Sequence, residues 1–294
     1  MEIVVASGKG GTGKTFVASN LAYYLNVKSE NVIAVDADAE APDLLLALGG
    51  SRKNLFSHHV SLSRKAKINY EKCIKCLKCI SACKFYAIEV KNGIPSIIEE
   101  YCEGCNACNL VCPVKCIDLY VKETGIVRCD ISNCGVIVVT ADLEVGGRNS
   151  GDLVFMAREE AHKLSRDYNA KHIVIDAAAG IGCPVISSLA GAHILLAVVE
   201  PIAPSLNGAK RLLEIAEKMR VKPFIIINRY DMYHEDDVKK IHDLGVEIIG
   251  KIPYDKAVIE AYVNMNPVLT YNPNSKASQA LIELFNFLME CVLK

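Results

Sequence analysis

Gly8-Lys9-Gly10-Gly11-Thr12-Gly13-Lys14-Thr15 (GKGGTGKT) is the stretch whose reading decides the fold. It follows an apolar run, Glu2 to Ala6, and opens an amphipathic stretch, Lys14 to Val27, so it lies where a strand turns into a helix. That context makes the pattern G-x-x-x-x-G-K-[ST] a phosphate-binding loop. Gly8, Gly10, Gly11 and Gly13 let backbone N–H groups close around phosphate oxygens, at a helix N-terminus whose dipole favours the same anion. Lys14 is expected to reach the β- and γ-phosphates and Thr15 to ligate Mg2+, with Lys9 and Thr12 completing an ATP site over residues 8–15.

Further along, a buried strand, NVIAVDAD, ends in Asp36 and Asp38, which alternate with alanine. Ligands of open α/β sheets bind at the carboxyl ends of such strands. HIVIDAAAG has the same character, because a hydrophobic run ends in Asp176 and Gly180 follows four residues later. The strands HIVIDA, HILLAVVE, FIIIN and VEIIGKI then alternate with helices near Pro184 to Leu189, Ser205 to Met219, Glu235 to Leu244 and Lys256 to Tyr262. Near-continuous apolar strands of this kind belong to a parallel sheet covered by helices on both faces. The expected fold is therefore α/β with a mostly parallel sheet, closed by a last helix from Lys276 to Val292.

The rhythm breaks between residues 64 and 123, where lysine and cysteine dominate. Cys73, Cys76, Cys79 and Cys83 reappear twenty-nine residues later as Cys102, Cys105, Cys108 and Cys112, and Ile88-Glu89-Val90 has its counterpart in Ile117-Asp118-Leu119. An internal duplication of this size points to a two-fold pseudo-symmetric module. Three segments follow: 1–63 and 124–294 as the two parts of a nucleotide-binding domain, and 64–123 as an insert. Each half of the repeat is C-x2-C-x2-C-x3-C. In two-cluster ferredoxins the fourth cysteine of each run ligates the other cluster. Carried over, Cys73, Cys76, Cys79 and Cys112 hold one 4Fe-4S cluster, and Cys102, Cys105, Cys108 and Cys83 the other. A zinc reading needs ligands grouped as two pairs and leaves the middle cysteines unexplained. Pro113 follows the fourth cysteine of the second run, whereas Lys84 takes that place in the first.

Charge differs between the halves. Lys72, Lys75, Lys78 and Lys84 ring the first run, and Glu99, Glu100 and Glu103 flank the second. Positive charge favours a reduced, more negative cluster, so the lysine-ringed centre is expected to be the easier to reduce, unless those charges are solvated and screened. Among the other cysteines, Cys116 aligns with Ala87 and is not expected to ligate, and Cys129, Cys134 and Cys291 read as core or surface thiols. Cys183 follows the Asp176 loop and is expected to be a buried small hydrophobe, with a nucleotide-linked or partner-facing thiol as the alternative. His58 and His59 have no ligand partner at suitable spacing.

The bulk numbers set the frame. The chain has 294 residues, 51% hydrophobic, a formal net charge of −1 and thirteen cysteines. A near-zero net charge implies neither nucleic acid nor an anionic membrane as partner. No apolar run approaches the roughly 18 residues that span a bilayer, and the N-terminal stretch has no cleavable-signal pattern. A cytoplasmic location with reduced thiols is expected, which favours metal ligation over disulfides. The terminal QALIELFNFLMECVLK lacks the basic face of a membrane-surface helix and reads as packed.

With Lys9 as an extra cation, the loop resembles the deviant form found in the MinD, ParA, Mrp and nitrogenase iron-protein group. Asp36-Ala37-Asp38, the D-x-x-x-G from Asp176 to Gly180, INRYD and IPYD follow in that group's order. The resemblance implies that Lys9 reaches the nucleotide of a partner subunit across a homodimer, with a solvated loop lysine as the plain alternative. It also implies that Asp36 and Asp176 hold hydrated Mg2+ with Thr15, and that Asp38 orients the attacking water. Asn228 would then face the adenine edge, or else cap the following turn, with Pro253 and Asp255 lining the ring. Lys9, Lys14 and Asp38 would act on the reaction itself.

The arrangement as a whole resembles MinD-superfamily P-loop ATPases with an inserted ferredoxin domain, of archaea and anaerobic bacteria. Two functions fit. One couples ATP-driven dimer rearrangement to electron transfer through the clusters to a partner metalloprotein. The other is an Mrp-type carrier that hands a cluster to an apo-acceptor. Mrp-type scaffolds resemble one another in a late paired C-x-x-C, and this chain has only isolated Cys183 and Cys291 there. A spatial-positioning ATPase needs a membrane or filament surface for which the sequence offers no feature.

Overall fold

The computed structural model describes residues 1–293. In chain order the elements are β1 (Glu2–Ser7), α1 (Lys14–Val27), β2 (Val32–Ala37), α2 (Leu44–Ala47), β3 (Ser51–Val60), β4 (Ser63–Ile68), α3 (Lys78–Ala82), β5 (Ile88–Lys91) and β6 (Ile94–Ile97). Then come α4 (Ala107–Val111), β7 (Ile117–Lys122), β8 (Gly125–Ser132), β9 (Ile137–Leu143), α5 (Ser150–Asp167), β10 (His172–Ala179), α6 (Cys183–Leu189), β11 (Ile194–Val199) and α7 (Ala203–Lys218). β12 (Lys222–Asn228), α8 (Glu235–Lys239), β13 (Ile248–Ile252), α9 (Lys256–Val263), α10 (Val268–Tyr271) and α11 (Lys276–Phe287) complete the chain, with a π-helical turn at Leu288–Val292. Two compact units result: Met1–His58 with Ile126–Asp142 and Ser150 onward, and His59–Gly125 with Leu143–Asn149.

The larger unit is built on a sheet of order β13-β12-β11-β1-β10-β2-β9-β8-β3. Every pairing from β13 to β9 is parallel. β1, β2 and β11 are buried at all positions, as expected of strands covered on both faces. Side chains of alternate parity divide between the faces. Ile3, Val5, Val32, Ala34, Val174, Leu196 and Phe224 join α1, α2, α9, α10 and α11 in one core. α5, α6 and α7 lie against β2, β10 and β11. The terminal helix is packed, since its Leu281, Leu284 and Phe285 and the following Leu288 are buried. No helix among the described residues is long and apolar enough to cross a membrane.

Three elements depart from the sequence reading. β3 is an edge strand most of whose residues are exposed, and two of them, Arg52 and Lys53, are charged. Such an edge carries no alternation and no apolar face to betray it. The helix expected over Glu235 to Leu244 stops at Lys239 and resumes as a 3-10 turn at His242–Leu244. The terminal helix, expected to reach Val292, is α-helical only to Phe287.

The smaller unit contains two antiparallel pairs, β4 with β7 and β5 with β6. Asn92 and Gly93, both at positive φ, make the β5–β6 turn. The duplication extends to the backbone. Lys75 and Gly104, Leu77 and Asn106, and Tyr86 and Lys115 form three pairs twenty-nine residues apart, and all six have positive φ. Leu77 and Asn106 precede α3 and α4, which pack on each other.

Candidate functional site

β1 delivers the chain into the loop of residues 8–15, and Gly13, at φ 96°, turns it into α1. The loop is held from below by α7. A Cβ on Gly8 would lie 1.9 Å from the Gly208 carbonyl carbon, so only glycine fits at either position. From the side, Asn228 Nδ2 donates to the Thr12 carbonyl at 2.8 Å. Within the loop, the Ser7 hydroxyl donates to the Lys9 carbonyl at 2.6 Å. Lys14 is buried at the first position of α1, and Lys9 is half-buried.

Parallel pairing sets Asp36 of β2 directly beside Asp176 of β10, at the end of the sheet where the loop lies. Both are fully buried. Asp36 accepts from Leu44 N at 2.8 Å and from Asp38 N at 3.3 Å. Neither carboxylate oxygen of Asp176 has a hydrogen-bond partner in the protein. Burial pushes the Asp176 carboxyl up to about 7, against the pull of Thr15 and Lys14. Burial, and then the Asp176 charge, hold Asp36 well above the usual carboxylate range. Asp38 is raised too, by burial, with Lys14 opposing. Two adjacent buried carboxylates with unspent lone pairs are neutralised either by taking up a proton or by a bound cation.

A cavity of about 500 Å³ opens over Lys14, Thr15 and Asp38. Beside it, Asn228, Pro253, Tyr254 and Asp255 line a second cavity of about 180 Å³, and Gly13 and Phe16 border both. The expected adenine-edge residues are thus grouped, though two have other duties in this structure. One hydrogen of the Asn228 amide is used on the loop, and its Oδ1 accepts from Arg229 N at 3.0 Å. The Asp255 carboxylate caps α9 through Ala257 N at 2.9 Å and also accepts from Ala277 N at 3.2 Å. Burial alone would raise its pKa, but those hydrogen bonds hold it below the ordinary value. Arg229, unremarked in the sequence, donates to the Gly11 carbonyl and pairs through Nε with Glu200 at 2.8 Å.

In the smaller unit the repeat's eight cysteines line two separate cavities, with Cys76 and Cys105 exposed at their rims. Cys83, Cys102, Cys105 and Cys108 line one. Cys73, Cys76, Cys79 and Cys112 line the other, with Cys116. The fourth cysteine of each run has crossed to the opposite cavity. Backbone N–H groups point at three of the sulfurs: Ala66 to Cys102 at 3.3 Å, Ala87 to Cys83 at 3.4 Å and Cys116 to Cys112 at 3.4 Å. Burial raises the Cys79 and Cys108 thiols. All thirteen cysteines are free. Among the described residues no three or more His, Cys, Asp or Glu side chains converge as ligands of a single metal ion, as a zinc site requires.

The remaining cysteines lie apart. Cys129 is buried, and burial pushes its thiol up to about 12; Cys134 is half-buried against the main core. Cys183, expected to be buried, is exposed at the start of α6, and Cys291 is exposed as well. A Cβ at Gly151 would meet the Cys183 Cβ at 3.0 Å.

Residues 3–268 match the CobQ/CobB/MinD/ParA nucleotide binding domain. The chain belongs to that family. An uncharacterized protein of Methanocaldococcus jannaschii is 32% identical to it over 292 residues, covering 99% of this chain and 98% of its own. The septum site-determining protein MinD of Thermotoga maritima is 27% identical over 288 residues, covering 94% of this chain and 83% of its own. MinD of Pyrococcus horikoshii, solved with Mg-ADP, shares the fold at a TM-score of 0.62 and 21% identity, covering 98% of this chain and 96% of that one. The chain is thus a nucleotide-binding protein of the MinD/ParA type, with an α/β P-loop fold.

Proposed function

We propose that this MinD/ParA-type protein is a cytoplasmic ATPase in which a nucleotide-driven homodimer rearrangement is coupled to electron transfer through two 4Fe-4S clusters to a partner metalloprotein. The observation that carries the reading is the pair of cysteine quartets. Each encloses its own cavity, with the fourth cysteine exchanged between runs and backbone N–H groups aimed at the sulfurs. Free thiols grouped as two quartets, each lining its own cavity, match the four cysteine ligands of a 4Fe-4S cluster, so the residues fit the group. Two such clusters, when bound, supply one-electron storage. The ferredoxin-like insert would span 64–123, between the two parts of the ATPase domain.

At the nucleotide, residues 8–15 bind the phosphates and Lys14 neutralises charge on the β- and γ-oxygens. The unpartnered oxygens of Asp176, the adjacent Asp36 and Thr15 fit a bound Mg2+, which would neutralise both buried carboxylates. Asp38, half-buried beside Lys14, orients the attacking water. Lys9 reaches toward the nucleotide of the second subunit. Pro253, the backbone at Asp255 and Asn228 flank the base, Asn228 keeping its bond to Thr12 and offering its second amide hydrogen to the ring.

Anaerobic reconstitution followed by ATP tests the coupling. Midpoint potentials should move with nucleotide while the clusters stay in place. If the clusters pass to an apo-acceptor and the potentials ignore nucleotide, the redox function is wrong and a carrier role replaces it.

A further inference from the structure

The repeat that relates the two cysteine runs also relates their surroundings, and it breaks at two neighbouring positions. Residues twenty-nine apart occupy matching places: Ala87 N–H on Cys83 and Cys116 N–H on Cys112 are one such pair, each at 3.4 Å. By the same offset Ala66 matches Pro95, and each lines its own cavity, Ala66 with Cys102 and Pro95 with Cys73. Ala66 N–H donates to Cys102 Sγ at 3.3 Å. Pro95 has no N–H to give.

One residue earlier, Lys65 matches Ile94. Lys65 is only 3% exposed, and its ammonium donates to the Cys102 carbonyl at 2.8 Å. Glu99, an acid within reach of its charge, is already paired with Lys122. An ammonium buried with a neutral oxygen as its partner is costly and calls for an anion nearby.

We propose that a bound cluster is the anion that Lys65 calls for: with the Ala66 N–H, Lys65 makes the centre held by Cys102, Cys105, Cys108 and Cys83 the more readily reduced of the two. The inference rests on the two-cluster reading above. A buried positive charge and an N–H donor to a ligand sulfur both favour the form carrying one more electron. Low local polarity magnifies the effect of the charge.

This order reverses the one expected from sequence. Lys72, Lys75, Lys78 and Lys84 are all exposed, so water and salt screen them. One contact favours the first centre: the Cys116 sulfur lies 3.5 Å from Cys112 Sγ, at the place Ala87 takes in the other half. A thiol is a weak donor and carries no charge, so a buried ammonium outweighs it.

The test is a dithionite titration of the anaerobically reconstituted full chain, followed by electron paramagnetic resonance, with iron and sulfide counted in each sample. Two reduction steps are expected. Lys65→Met should lower the higher step by at least tenfold in its equilibrium, about 59 mV for one electron, while Lys65→Arg keeps it. Pro95→Ala, remote in sequence from Lys65, should raise the lower step by giving the first centre the N–H it lacks. It serves if Lys65→Met does not retain both clusters. If Lys65→Met moves the lower step, or neither, at full iron content, the inference is overturned. An unmoved lower step in Pro95→Ala overturns it as well. Wild-type protein without iron and sulfide removes the two-cluster reading itself, which the counts reveal before any potential is measured.

Discussion

Gly208 of α7 and Gly8 of the phosphate loop meet backbone to backbone: a Cβ on Gly208 would lie 2.3 Å from the Gly8 carbonyl oxygen. Helix α7 therefore fixes where the loop begins. Gly208→Ala is expected to push the loop off its position and to cost about 1–3 kcal/mol of stability, as overpacked sites do. Nucleotide affinity should fall by about tenfold or more. Calorimetric ADP binding beside a circular dichroism spectrum checks it, and unchanged affinity would show that the loop tolerates displacement.

Asn228 holds the same loop from the other side through Thr12. Asn228→Ala leaves that carbonyl without its donor, worth about 0.5–1.5 kcal/mol for a typical hydrogen bond. A three- to tenfold weaker ADP affinity is expected, with the phosphates of the nucleotide still bound. Tighter binding in the variant would mean that the bond holds the loop closed against the ligand.

Asp176 makes a prediction about pH. Its folded pKa, about 7, lies above the ordinary 3.8, so the folded protein takes up the proton more readily than the unfolded chain. Without metal, this group's contribution to stability is full below pH 4 and is lost as pH rises toward 7. Asp176→Asn should therefore raise the metal-free melting temperature at pH 8 and abolish its increase on adding Mg2+ and ADP. A variant that still gains stability from Mg2+ would place the metal elsewhere.

His172 has the opposite sign. Burial at the start of β10, and then the N-terminal ammonium, lower its pKa from 6.5 to about 4. The unfolded chain binds that proton first, so stability falls as pH drops from 6.5 to 4, by about 3 kcal/mol at most. In denaturant titrations His172→Gln should flatten that part of the profile relative to wild type. An identical slope would show that another group carries the acid sensitivity.

Local signals were legible and remote ones were not. The loop at the end of β1, the neighbouring Asp36 and Asp176, and the grouping of the cysteines by runs follow from patterns a few residues long, and the parallel strands announce themselves as apolar runs. Gly208 lies two hundred residues from Gly8. Nothing in its own helix marks it, because its role comes from a strand-to-helix packing that forms only in three dimensions. Lys65 reads as one lysine among many until the strand pairing Lys65 with Tyr120 buries it, whereas the conspicuous lysines around Cys73 remain in water. Residues 143–149 join the smaller unit although the sequence reading closed the insert at 123, since contacts and not composition bring them there. β3 was missed because an exposed edge strand has no buried face to impose a pattern.

The crossed quartets are the centre of the account, and metal counting on anaerobically purified protein addresses them most directly. Wild type should hold about eight iron and eight sulfide per chain, and Cys83→Ser should lose the centre of Cys102, Cys105 and Cys108 while keeping about four of each. Stoichiometric zinc in place of iron, or a Cys83→Ser protein that loses the centre of Cys73, Cys76 and Cys79 instead, would contradict it.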